Sequence, residues 1–317
     1  MMKIKFLLFI LAIWPISLNF AQEKDEVKPV FYNFLDPLPN LRDFTLDKSG
    51  EECYFTLLSP EEEIGVIMGC RKREDKWGVP FIPPFSGKFK DLEPFLSPDG
   101  KKLFFASNRP LLENEQNPGD FNIWYVQRPH KNATWSKPLP LEGPVNTEQD
   151  EFFPSVCENN NLYFTSNGES SKGLDDIFVS KWNKDHYEAP ESLAETINTK
   201  GYEFNAFIAP DESFILFSGY NRPDGFGSGD LYISFKDQQG NWEPARNLGK
   251  EINSKKLDYC PFFHFESSTL YFTSKRSHWD NAPSSTLSQL LKKVNQYENG
   301  FSRIYSVYLP ALLSNKK

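Results

Sequence analysis

One motif recurs along the 317 residues, and its spacing constrains the fold more tightly than composition does. The clearest copy runs Glu93-Pro94-Phe95-Leu96-Ser97-Pro98-Asp99-Gly100, then Leu103-Phe104-Phe105-Ala106-Ser107-Asn108. Other copies open at Glu151, Glu203 and Asp258, and a worn one opens at Asp43. Each continues with a second apolar run, namely Val66 to Cys70, Ile123 to Val126, Asp176 to Ser180, Asp230 to Ser234, and Ile304 to Tyr308. An aromatic residue follows each of the first four runs with a proline close behind, and Trp77, Trp135, Tyr187 and Trp242 stand 16 residues before Glu93, Glu151, Glu203 and Asp258. A separation kept through loops of unrelated sequence implies one repeated geometry.

Each unit reads as four short strands. In Ser97-Pro98-Asp99-Gly100 the proline presets φ, the aspartate bonds nearby backbone and the glycine accepts positive φ, so this segment is a hairpin turn. The following strand, as in Leu162-Tyr163-Phe164-Thr165-Ser166, is apolar on both alternating faces and must be covered on both sides. The expected fold is all-β, a single β-propeller of five four-stranded blades, with six blades as the alternative. Five sets of the first three strands can be counted, but a fourth strand for the last set is missing after Tyr308. Val27-Lys28-Pro29 matches the pattern of Trp242-Glu243-Pro244, again 16 residues before a repeat carboxylate, Asp43. Residues 26 to 32 are therefore expected to supply the outer strand of the last blade and close the ring.

The quoted motifs, E-x-x-P followed by PDG and L-Y-F-x-S-N, resemble the WD40-like PD40 propeller repeats of TolB-type proteins of bacterial envelopes. The resemblance implies an envelope location and a protein partner there. Propellers host many activities, so the fold by itself assigns none.

At the N-terminus Lys3 and Lys5 precede the apolar run Phe6 to Phe20, which has the size and flanks of a secretory signal. Residues 1 to 21 are read as that signal, with cleavage near Ala21, and residues 22 to 317 as the propeller, exported to the periplasm or secreted. The mature chain is expected to be a monomer with no membrane span. Loss of Lys3 and Lys5 takes the formal charge from -8 to -10, which does not suit a nucleic-acid-binding face. Export permits disulfides, and Cys53 and Cys70 fall on adjacent predicted strands where they can face each other. Cys157 and Cys260 lie in nonadjacent blades.

In a propeller the loops entering the inner strand and those between the second and third strands share one rim. Asp43, Glu93, Glu151, Glu203 and Asp258 open the inner strands there. Because an acid required in every blade usually serves the blade, these carboxylates are expected to be structural, accepting from the turns at Asn146-Thr147, Asn198-Thr199 and Asn253-Ser254. Asp176 and Asp230 are expected to bond their own turns. Ligand contacts are expected where copies differ: Arg109, Tyr220, Asn221, Arg222, Arg276, His278 and Trp279, a set suited to an envelope protein or a glycan. His264 is expected to line the channel. Leu287, Leu290, Leu291 and Val294, at helical spacing after Ser284-Ser285-Thr286, predict a short helix inserted near 284–295. Its apolar stripe is expected to pack on its own blade, with a channel plug or a partner-binding face as the alternatives.

No catalytic residue, metal site or cofactor is assigned from the sequence. The histidines form no metalloprotease motif, and Gly225-Phe226-Gly227-Ser228-Gly229 is not a nucleophile elbow. The leading reading is a non-catalytic, exported binding module for a protein or glycan. The competing reading is a glycoside hydrolase, drawing two carboxylates from Glu93, Glu151, Glu203 and Asp258.

Overall fold

The computed structural model describes residues 26–31, 38, 40–112, 117–279, 283–310 and 312. The leader expected over residues 1 to 21, with its cleavage point near Ala21, lies outside them. Among the described residues five four-stranded antiparallel sheets form the ring, each running from an inner strand a to an outer strand d, and a two-stranded ribbon, Trp182–Asn183 with His186–Tyr187, stands beside them. Blade 1 comprises Leu41–Leu46, Glu52–Leu58, Gly65–Arg73 and Lys76–Trp77. Blade 2 comprises Asp91–Leu96, Lys102–Ser107, Asn122–Gln127 and Leu139–Pro140. Blade 3 is built from Glu151–Val156, Leu162–Ser166, Asp176–Ser180 and Glu191–Ser192. Blade 4 follows with Tyr202–Ile208, Phe214–Tyr220, Gly229–Phe235 and Arg246–Asn247.

Blade 5 contains Asp258–His264, Thr269–Ser274 and Arg303–Tyr308, and its outer strand is Lys28–Pro29 from the other end of the chain. Lys28 pairs with Ser306 and Pro29 with Tyr305, and Val30 N–H donates to the Ile304 carbonyl at 2.9 Å. The ring is thus closed by backbone hydrogen bonds between its ends, in five blades. The proline is tolerated because an outer strand needs its N–H only on one side.

The aromatic residues account for the seams between blades. Each b strand is sandwiched, and Tyr54, Phe105, Phe164, Phe217 and Phe272 are all fully buried. Trp135 of blade 2 reaches over blade 1, donating its indole N–H to the Tyr54 hydroxyl at 2.8 Å, and Trp242 packs edge-on against Tyr163 at 6.5 Å. A second interlock lies nearer the axis. Every inner strand carries a bulge, and the residue in it adopts left-handed backbone: Asp43, Glu93, Phe153, Asn205 and Cys260, with φ between 48 and 61°. That conformation costs a non-glycine residue about 1 kcal/mol. It turns the bulge N–H towards the preceding blade, where a b-strand hydroxyl receives it: Glu93 on Thr56 (3.0 Å), Asn205 on Thr165 (3.1 Å) and Asp43 on Thr273 (3.3 Å).

The insertion after the b strand of blade 5 contains one helix, α1, Leu287–Val294. Thr286 caps it, and Gln289 completes the reciprocal capping box. Its apolar stripe does not pack on the blade: Leu287, Leu290, Leu291 and Val294 are 43–70% exposed. The insertion is pinned at its base instead, by the Ser277–Asn299 bridge and the bond from His278 N–H to the Glu298 carbonyl, which leaves the helix standing clear.

Candidate functional site: an axial funnel above a polar plug

Looking down the axis, the residue before each bulge forms the mouth of a funnel: Arg42, Leu92, Phe152, Phe204 and Tyr259. The funnel encloses about 370 Å³ and is completed by Phe121, Leu257, Lys90, Lys275, Glu62 and Asp175. Phe121, Phe152 and Phe204 are half-buried, so ring faces remain open to a ligand. Lys90 lies over the Phe121 ring at 5.7 Å, and Lys275 is 3.5 Å from Glu62. The walls thus combine aromatic surface with charged groups of both signs.

The floor is a buried network. Arg42 donates through Nε to Asp43 Oδ1 at 2.7 Å and through Nη2 to Glu93 Oε1 at 2.6 Å, while its guanidinium stacks on Tyr259 at 5.1 Å. Asp43 Oδ1 also receives the Cys260 thiol at 2.8 Å, and Oδ2 receives Glu93 N–H at 3.3 Å. Glu93 Oε1 takes the Asn205 amide at 3.3 Å, and Oε2 takes Phe153 N–H at 2.7 Å. That last bond has a local cause: blade 2 has Ala106 where the other blades carry Thr56, Thr165, Ser218 and Thr273, so the Phe153 bulge finds a carboxylate instead of a hydroxyl. Burial pushes the Glu93 carboxyl up to about 7, against the pull of Arg42. Beneath this layer Phe95, Phe207 and Phe262 close the axis, with ring centroids 5.4–6.4 Å apart along Phe95–Phe207–Phe262. A smaller cup of about 270 Å³, of mixed polar and apolar lining, opens on the opposite face and has His264 in its wall, bonded to Ser267.

The structure divides the repeated carboxylates into two classes. Asp91, Glu151, Glu203 and Asp258 are the equivalent residues, opposite Ser107, Ser166, Gly219 and Ser274 of their b strands, while blade 1 has Leu41 there. Glu93 and Asp43 sit two residues further on, in the bulges. The 16-residue count from Trp77 therefore ends at the wrong acid, because the loop entering blade 2 is two residues shorter than its counterparts. Glu151 accepts from Thr147 N–H and hydroxyl, Glu203 from the same groups of Thr199, and Asp258 from Ser254 N–H. Asp176 accepts from the N–H groups of Lys172 and Gly173, and Asp230 from those of Phe226 and Gly227.

The rim arginines are not free for a ligand. Arg109 is paired with Asp91, Arg222 with Glu203 and Arg276 with Asp258, each in its own blade. A repeated Ser-x-Arg following the b strand, Ser107-Asn108-Arg109 and Ser274-Lys275-Arg276, is the sequence signal for these clamps. Tyr220 and Asn221 flank Arg222 in a groove at the edge of blade 4, away from the axis. His278 and Trp279 lie in the blade 5 insertion, with Trp279 45% exposed. The residues read as a single binding rim are therefore spread over separate surfaces, whereas the funnel residues Lys90, Phe121, Phe152 and Phe204 escaped notice in the sequence.

Cys53 and Cys70 are opposite each other across the b and c strands of blade 1, yet both are free thiols, as are Cys157 and Cys260, and all four are buried. The Cys70 thiol is turned towards the Gly78 carbonyl, 2.9 Å away, rather than joined to Cys53. Among the described residues no group of three or more His, Cys, Asp or Glu side chains is arranged to hold a metal ion, and no helix is long and apolar enough to cross a membrane.

No family model matches the sequence, and no curated protein matches it significantly. Solved structures do match in fold. The α-L-arabinofuranosidase of Podospora anserina, determined with cellotriose, aligns at TM-score 0.52 and 11% identity over 85% of this chain and 90% of its own. A GH62 hydrolase determined with xylotriose aligns at TM-score 0.50 and 11% identity over 90% and 96%. TolB from Acinetobacter baumannii aligns at TM-score 0.45 and 12% identity over 85% of this chain and 54% of its own. At these identities the likeness is one of fold alone.

Proposed function

We propose that the protein is an exported, non-catalytic binding propeller of the cell envelope whose axial funnel takes a saccharide or an exposed segment of another protein. The observation that carries the non-catalytic part is the state of the axial acids. Hydrolysis needs one carboxyl able to give a proton and another free to meet water or the sugar. Asp43 and Glu93 share one guanidinium, and all four of their oxygens accept hydrogen bonds from the protein. The half-buried rings of Phe121, Phe152 and Phe204, with Lys90 and Asp175 beside them, suit an amphipathic ligand that stacks one face and hydrogen-bonds at its edge.

A hydrolase is the second reading, favoured by two neighbouring carboxyls on the axis with Glu93 raised to about 7, a value suited to a general acid. The Podospora anserina arabinofuranosidase and the GH62 hydrolase named above are alike in fold and supply no more than that. A screen of envelope and plant polysaccharides separates the readings: retention on immobilised glycan without release of reducing ends, lost in Phe152→Ala, is the expected result. Cleavage abolished by Glu93→Gln would establish the enzyme instead. Retention of no glycan, with Phe152→Ala weakening capture of a purified envelope protein, would move the ligand class to protein.

A further inference from the structure

Three blades build the same socket around an arginine. In blade 5 the Arg276 guanidinium lies over Phe272 and Tyr305, at 5.3 and 4.5 Å, and those two rings stack at 6.0 Å. Its Nε donates to Ser274 Oγ at 2.9 Å, and Nη2 donates to the Ile252 carbonyl at 2.9 Å and to Asp258 at 3.0 Å. Blade 4 repeats this with Arg222 over Phe217 and Tyr232, bonded to Glu203 and the Ile197 carbonyl. Blade 2 repeats it with Arg109 over Phe105 and Trp124, bonded to Asp91, Ser107 and the Phe85 carbonyl.

Blade 3 has every part of the socket except the arginine. Phe164 and Phe178 are paired across its b and c strands in the register of Phe272 and Tyr305, and stack at 5.8 Å and 23°. Glu151 stands opposite Ser166 as Asp258 stands opposite Ser274. Val145 precedes Glu151 by six residues, the separation from Ile252 to Asp258 and from Ile197 to Glu203. Two residues after Ser166, where Arg109 and Arg276 follow Ser107 and Ser274, the chain has Gly168. Where the guanidinium would lie there is a cavity of about 420 Å³ lined by Val145, Glu151, Phe164, Ser166 and Phe178, with Glu169 at its edge. Blade 1 shows the other way to lose the arginine: there the acid position is Leu41, and no charge is left behind. Blade 3 keeps the buried acid, and burial pushes the Glu151 carboxyl up to about 7.

We propose that the blade 3 socket binds an alkylguanidinium supplied from outside the chain, the side chain of an arginine on a partner segment. The ring pair gives it two stacking faces, and the carboxylate and the carbonyl accept from its N–H groups, as they do in the three filled copies. This site is separate from the axial funnel and does not depend on the reading given there.

The test uses N-acetyl-arginine methylamide titrated into the full-length mature protein at pH 8, with the citrulline and lysine analogues as comparisons. Saturable binding is expected, at least tenfold weaker for citrulline, which has the shape without the charge, and weaker for lysine, which lacks the fork. Glu151→Gln keeps an acceptor for Thr147 and is expected to weaken arginine binding at least tenfold. Gly168→Arg is expected to fill the socket from within, abolishing binding while raising the melting temperature; a Cβ at Gly168 meets nothing closer than 3.8 Å. Binding should also weaken from pH 8 to pH 6 as Glu151 takes up its proton. Equal affinity for the arginine and citrulline analogues, undiminished binding by Gly168→Arg, or no saturable binding of the arginine analogue would each overturn the proposal.

Discussion

Replacing Glu93 by glutamine isolates the electrostatic cost of the axial plug. The carboxyl is raised from an ordinary 4.5 to about 7, so between those values the folded protein holds a proton that the unfolded chain has released. Its contribution to stability is therefore complete below pH 4.5 and is lost as pH rises through 7. A displacement of that size corresponds to about 3 kcal/mol between the two plateaus. For a ring of this length it amounts to a difference of about 6 °C in melting temperature. The glutamine variant has no such proton, but its amide meets Phe153 N–H or Arg42 less well, so a uniform loss at all pH is expected as well. The informative quantity is the slope. Chemical or thermal unfolding at intervals from pH 4.5 to 8 should give a wild-type curve that falls more steeply than that of Glu93→Gln. Glu151, displaced in the same direction, keeps a residual slope in both proteins. Parallel curves would refute the assignment of a buried, proton-holding acid to the plug, and a steeper fall in the variant would reverse its sign.

Arg276→Ala leaves Asp258 fully buried without its cation and should cost about 3–5 kcal/mol in urea unfolding, part of which Asp258→Asn in the same chain should restore. Leu290→Ser with Leu291→Ser removes apolar surface that is already in water, so the melting temperature should stay within about 1 °C of wild type while binding of a hydrophobic dye falls; a drop of several degrees would mean the stripe is covered. All four cysteines should resist alkylation in the native protein and react in denaturant without a reductant, a result that a disulfide between Cys53 and Cys70 would contradict.

The architecture was legible because it is written five times. The spacing from aromatic residue to carboxylate, the doubly apolar b strands and the match of Val27-Lys28-Pro29 to a d strand led to five blades and to the closing strand, Lys28–Pro29. The site was legible only in part, because its chemistry depends on single-residue register. Glu93 and Asp43 occupy the bulge position, two residues beyond that of Glu151, and so lie on the axis and not in the blade wall; no residue count along a repeat reveals a bulge whose residues are ordinary L-amino acids. The rim arginines misled for a related reason. A cation in a variable loop reads as a ligand contact until its partner is known, and the partner is an acid 18 or 19 residues earlier on the neighbouring strand.

That pairing also explains how the ring tolerates so many buried acids in a chain of formal charge -8. Asp91, Glu203 and Asp258 are each neutralised within their own blade, so none depends on a neighbour's charge. Glu93 and Asp43 are different: the arginine between them belongs to blade 1 while Glu93 belongs to blade 2, and Asn205 and Cys260 of blades 4 and 5 complete their bonds. An acid bonded only inside one blade stabilises that blade, whereas this network has donors or acceptors from every blade, with Phe153 N–H representing blade 3. It can form only when the ring is closed. The strained bulges place those five groups on the axis, and their cost is offset by bonds that an open or partly assembled ring cannot make. The plug is therefore a fastening for the ring first, and the floor of a binding site because it closes the axis.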